Sequence, residues 1–178
     1  MEALLEGLKA SAQEYVPPGE PPIRSVVFTG WTTYLDLIEI ALDDNDIGYV
    51  RLDGTMSVKQ RTAVLDRFKN DPEITVILVS IKAGGQGLNF TAANKVYMME
   101  PQYNPGVQQQ AIDRVHRLGQ KRDVEITHYI MNDSVEEGIR KLQKRKLDLA
   151  DMTLARNAKM SKLDEAKKRI EELRDLFK

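Results

Sequence analysis

The stretch "AIDRVHRLGQKR" (111–122) sets Arg114 and Arg117 three residues apart, with Gln110, His116 and Gln120 beside them. On a helix that spacing is one turn, so the two guanidinium groups are expected on one face, converging on a single point. Arginine has no proton to give at neutral pH, which leaves binding or charge stabilisation. Its planar fork of donors suits phosphate oxygens. Two arginines on a helix are also common as plain surface residues, and both readings stand on this stretch alone. A second stretch, "SIKAGGQGLN" (80–89), is glycine-rich, and Gly84, Gly85 and Gly87 would let backbone N–H groups approach an anion closely. It is not a P-loop, because no Gly-Lys-Ser/Thr occurs there or elsewhere, and it is not GxGxxG. A plain tight turn explains it equally well. If the arginines meet a triphosphate, the rest of its pocket has to lie on another domain, as it does for an arginine finger.

The elements that must hold these residues alternate between two kinds. Short runs rich in β-branched residues read as strands over 25–28, 49–52, 74–79, 95–99 and 125–130. Helical patterns fill Tyr34 to Leu42, Ser57 to Phe68 and Val107 to Arg117, and Ser57 with Gln60 predicts a capping box. This alternation predicts an α/β fold, a parallel sheet with helices on both faces. "ITVILV" is apolar throughout, as a central strand covered on both sides should be. Ligands of such sheets sit beyond the carboxyl ends of the strands, here the loops 29–31, 53–55, 80–89 and 100–105. Residues 1–22 read as an N-terminal helix and a stiff Pro-rich connector, 23–133 as the lobe core, and 134–178 as a C-terminal helical extension. The extension divides into a helix from Ser134 to Ala150 and another from Ser161 to Lys178.

Composition narrows the classes. With no cysteine, thiolate metal sites and disulfides are excluded, and with only His116 and His128 a histidine-rich metal site is not expected. No apolar run approaches the ~18 residues of a membrane span, so no membrane partner is expected. The net charge of −1 gives no bulk argument for nucleic acid, although a local basic patch can exist within a neutral total. The densest basic run, Arg140-Lys141 to Lys144-Arg145-Lys146, reads first as a solvated helix face.

Taken together, "VFTGWTTYLDLI" (27–38), "YVRLDGTMSVKQRTAVLDRF" (49–68), "VILVSIKAGGQGLNFTAANKVYMMEPQYNP" (76–105) and "QQAIDRVHRLGQKRDV" (109–124) resemble successive motifs of one family. That family is the second RecA-like lobe of Swi/Snf-type DNA translocases of helicase superfamily two, which include chromatin remodellers and DNA-repair ATPases. The "NP" loop and the tail "RIEELRDLF" most resemble the repair-associated branch, whose members often carry a RING finger. The resemblance implies that Arg114 and Arg117 reach across an interlobe cleft to the phosphates of ATP, as arginine fingers. It implies that Gly85, Gly87 and Asn89 lie near the nucleotide, and that Gln110 and Gln120 set the arginine segment and couple it to the neighbouring lobe. It implies contacts to the phosphates of double-stranded DNA from Gly54, Thr55, Ser80, Lys82 and Tyr103, with Arg51 nearby and Trp31 as contact or packing. The cofactor implied is ATP with Mg, the metal held by a first lobe that this chain lacks. That N-terminal RecA-like lobe is the implied partner, with nucleosome or repair proteins beyond it and the nucleus as location. His116 then reads as packing or orienting. Three residues depart from the family pattern: Glu100 stands for a usual Asp, "QYNP" for "WNP", and "FTGW" for "FSQW". Two other functions fit parts of the pattern: an RNA-helicase second lobe, and a protein-interaction module on a degenerate lobe.

Overall fold

The computed structural model describes residues 1–83 and 87–154, with side chains as far as residue 147. Gly84, Gly85, Gln86 and the helix expected over 161–178 lie outside the described residues. The elements run α1 (Glu2–Ala12), β1 (Ser25–Thr29), α2 (Thr32–Asp43), β2 (Tyr49–Leu52), α3 (Val58–Asn70), β3 (Val76–Ser80), β4 (Lys95–Met98), α4 (Pro105–Ile112), β5 (Glu125–His128) and α5 (Val135–Leu154). The strands form one five-stranded sheet in the order β2-β3-β1-β4-β5, and every pairing is parallel. This is the predicted architecture.

Strand periodicity divides the core in two. Val26 and Phe28 of β1 face a cluster with Phe68 of α3, Phe90 and Ala111 of α4, whereas Val27 faces a second cluster with Leu4 and Leu8 of α1 and Leu35, Ile38 and Leu42 of α2. β1 and β3 are buried along their whole length because both faces are covered. β2 alternates as an edge strand should, and β5 is mostly exposed. The Ser57–Gln60 capping box forms: Gln60 N–H donates to Ser57 Oγ at 3.3 Å and Ser57 N–H to Gln60 Oε1 at 2.8 Å.

The helices differ from their predicted bounds by a few residues at each end, and α4 differs most. α4 begins two residues earlier than Val107, because Asn104 caps it through Gly106 N–H at 3.0 Å and Pro105 occupies the first turn, where its missing N–H costs nothing. It ends at Ile112 rather than Arg117, because the chain has to return to the amino end of β5. Arg117 N–H, which a helix would direct to Asp113 O, donates to Val115 O at 3.1 Å instead, and the carbonyls of Arg114 and Val115 accept from Phe90 N–H at 2.9 Å and Gln120 Nε2 at 3.5 Å.

Candidate functional site

Arg114 and Arg117 therefore stand not on a helix but on a turn, and they are not equivalent. Arg114 is half-buried, and its Nε is fully shielded with no hydrogen-bond partner among the described residues. Arg117 is exposed and borders an open concavity of about 630 Å³ together with Lys121. Neither pairs with a carboxylate among the described residues. Leaving a shielded donor unmatched costs on the order of 1–3 kcal/mol.

The turn itself is firmly built. Gln120 Nε2 donates to Ala93 O at 2.7 Å and to Thr91 O at 3.4 Å, while its Oε1 accepts from the N–H groups of Lys121 and Arg122 at 2.9 and 3.0 Å. Gly119, at φ +104°, makes the reversal between Arg117 and Gln120 that an L side chain would resist. Arg122 continues the tether, donating to Pro21 O at 2.6 Å, Pro22 O at 3.3 Å and Glu20 at 2.9 Å in the connector. All of these anchors precede β1 or β4, so this end of the turn lies at the amino edge of the sheet. Gly87 and Asn89 are exposed on the segment bonded to it, Asn89 Oδ1 taking Thr91 N–H at 3.0 Å. Gln110 is exposed on α4, and Gly85 lies outside the described residues.

The other candidates gather at the opposite, carboxyl edge. The helix following β1 covers one face of the sheet and the helix following β4 covers the other, so a crevice opens between the two strand ends. A cavity of about 650 Å³ occupies it, with Trp31, Lys82, Glu100 and Tyr103 among its walls. Trp31 is 66% exposed at the start of α2, far more than packing would leave such a side chain. Lys82 is exposed, and the ring of Tyr103 lies 3.7 Å from Lys146 Nζ, a cation–π contact from α5. Ser80, by contrast, is buried at the end of β3, 3% exposed.

Gly54 and Thr55 form an exposed turn beyond β2, and a Cβ at Gly54 would touch nothing. The buried carboxylate of Asp53 holds that turn, accepting Thr55 N–H at 2.9 Å and Thr55 Oγ1 at 2.6 Å. The Thr55 hydroxyl first, and then the Thr55 N–H and Arg51, keep Asp53 below the usual carboxylate range against the opposing effect of burial. Arg51 is not available to a phosphate in this arrangement. Its guanidinium is spent on Asp36 at 2.5 Å, Glu39 at 2.7 Å and Asp53 at 2.9 Å. Burial alone would lower its pKa, and the three carboxylates outweigh that and raise it.

Sequence reasoning missed Glu100 and Gln143 as positioning residues. Glu100 Oε1 accepts Gly30 N–H and Gln102 Nε2, joining the loops after β1 and β4. A Cβ at Gly30 would stand 3.3 Å from that oxygen. Two of the departures from the family pattern therefore meet in space, the longer carboxylate of Glu100 bonding the backbone of Gly30. The signal was present as two separate oddities, and only proximity relates them. Among the described residues no group of three or more His, Asp or Glu could hold a metal ion, and no helix is long and apolar enough to cross a membrane.

The profile of the family described as helicase conserved C-terminal domain matches residues 10–119. The chain is similar to the DNA repair protein rad8 of Schizosaccharomyces pombe, at 46% identity over 142 residues, covering 80% of this chain and 12% of that one. It is similar to the DNA repair protein RAD5A of Arabidopsis thaliana, at 41% over 173 residues, covering 97% and 15%. To the helicase-like transcription factor of Mus musculus it is 44% identical over 154 residues, covering 82% and 15%. The chain thus spans only 12–15% of the length of these relatives. Among solved structures, the crystal structure of the C-terminal part of the Fun30 ATPase domain superposes with a TM-score of 0.67 at 39% identity, over 68% of this chain and 39% of that one.

Proposed function

The chain belongs to the helicase conserved C-terminal domain family, as a RecA-like lobe of Swi/Snf type, and from that premise we propose that it is the second motor lobe of an ATP-driven translocase on double-stranded DNA. Arg114 and Arg117 complete an ATP site whose phosphate loop and Mg belong to an N-terminal lobe. Residues 23–133 act as the lobe core, flanked by the helix and connector of 1–22 and the extension of 134–178. The carboxyl edge, with Trp31, Gly54, Thr55, Lys82 and Tyr103, follows DNA phosphates, which gives affinity without base specificity. Work on damaged or packaged DNA in the nucleus, alongside repair or nucleosome proteins, follows from the relatives' names. One observation carries the reading: Arg114 and Arg117 are cations on a braced turn with no carboxylate partner among the described residues.

Lys82 at the carboxyl edge and Phe90, Thr91 and Ala93, which bond to the arginine turn, lie on one stretch of chain between β3 and β4, an arrangement that suits a motor coupling the two surfaces.

The test joins this chain to its upstream ATPase lobe and measures ATP hydrolysis with and without duplex DNA. DNA should stimulate turnover. Arg117→Ala should lower kcat by roughly 10³ or more, as in finger-type sites, while DNA affinity is retained. Equal hydrolysis with and without DNA, or full turnover in the variant, would overturn the proposal.

A further inference from the structure

The basic run on α5 reads in sequence as a solvated face, and its surroundings give it a second reading. The inner side of α5 is fixed to the carboxyl edge. Leu142 is buried, Gln143 Nε2 donates to Gln102 O and, at 3.2 Å, to Gln108 Oε1, and Lys146 covers the Tyr103 ring. The helix is therefore not a loose tail but a wall beside the loop that carries Tyr103. Arg140, Lys141 and Lys144 are all exposed, and at helical pitch they fall within about 100° of one another.

Among the described residues no carboxylate pairs with any of these three. Glu136 and Glu137 stand one turn earlier, at the spacing of helical ion pairs with Arg140 and Lys141. Their carboxylates are used elsewhere, Glu136 accepting Met131 N–H at 2.8 Å and Glu137 accepting Asp133 N–H at 3.4 Å. None of the ion pairs among the described residues includes Arg140, Lys141 or Lys144. Arg140 and Lys144, four residues apart, repel one another along the helix. Among the described residues the face thus holds three adjacent charges without an ion-pair partner, in a chain whose net charge is −1.

We infer that Arg140, Lys141 and Lys144 form a second phosphate-binding track for double-stranded DNA, continuing from the Lys82–Tyr103 edge along α5. The inference rests on the reading of this lobe as a DNA-binding motor half. Regularly spaced phosphates complement a rigid row of cations, and the contact carries no base preference.

The test is fluorescence anisotropy of the whole chain with a labelled random-sequence duplex, over a series of KCl concentrations. Each phosphate contact contributes about 0.9 to the slope of log K against log salt. The triple variant Arg140→Gln, Lys141→Gln, Lys144→Gln should therefore show a slope shallower by roughly 2 to 3, with weaker binding at low salt. The three single variants should each lose about a third of that change, which separates lost contacts from lost folding; an unchanged circular-dichroism melt is the companion control. A wild-type slope retained in the triple variant overturns this inference alone. Lack of any salt-dependent binding by the wild type overturns both it and the function beneath it. Polyglutamate that binds the wild type but not the triple variant, with the DNA slope unmoved, assigns the face to an acidic protein and also overturns the inference.

Discussion

Asp53 serves three donors with one carboxylate: the N–H and hydroxyl of Thr55, and Nε of Arg51. Its folded pKa is depressed, so the stabilisation is fully present above the unfolded value of about 3.9 and is lost as pH falls through the lower folded value. Asp53→Asn should therefore lower the melting temperature at neutral pH, and the gap from wild type should close as the pH falls below about 4. Thermal melts at both ends of that range check this, and a gap that persists in acid would contradict it. At this scale residue types were legible in the sequence but partners were not. Arg51 read as a cation near a DNA turn, yet Asp36 and Glu39 on α2 reach it across the face of the sheet. Its effect on Thr55 passes through Asp53, whose role nothing in the local sequence announced. The reverse holds for Arg114, whose type and spacing suggested a phosphate partner and whose shielded Nε fits that reading.

Helix and strand boundaries follow local signals wherever those signals decide the matter. The Ser57–Gln60 box fixes the start of α3, and alternation fixes β2. α4 shows where local signals give way. Its helical pattern runs on to Arg117, but there the chain turns, Arg117 N–H bonding Val115 O and Phe90 N–H reaching Arg114 O from a distant segment. Propensity is a weak prior beside such packing. The turn from α2 into β2 depends on one glycine. A Cβ at Gly48 would lie 1.9 Å from the carbonyl oxygen of Glu73, while Gly48 O accepts from both Thr75 and Val76. Gly48→Ala must push two backbones apart, and overpacking of this kind costs ~1–3 kcal/mol or more. Urea denaturation should show a lower midpoint with an unchanged slope, whereas Gly54→Ala, which meets no neighbour, should leave stability near wild type.

The molecule carries two candidate surfaces on one sheet, cations of the arginine turn towards the amino edge and an aromatic and basic rim at the carboxyl edge. The parallel fold was legible because burial and alternation are written residue by residue, whereas the two candidate residue sets were named from the resemblance to the family. Their separation to opposite edges was not legible, because it depends on which strands become neighbours. The order β2-β3-β1-β4-β5 also has a consequence in time. β1 lies at the centre, with Ser25 beside both Val76 and Lys95, and both of its neighbours are made after it. No hairpin is available, and each pairing waits for a crossover, which makes parallel sheets slow to form. Refolding followed by stopped-flow circular dichroism should fall in the range of about milliseconds to seconds rather than microseconds. During synthesis, Val26, Val27 and Phe28 leave the ribosome long before β3 or β4 can cover them. Throughout that interval the strand that ends deepest in the protein is the one most open to the wrong partner.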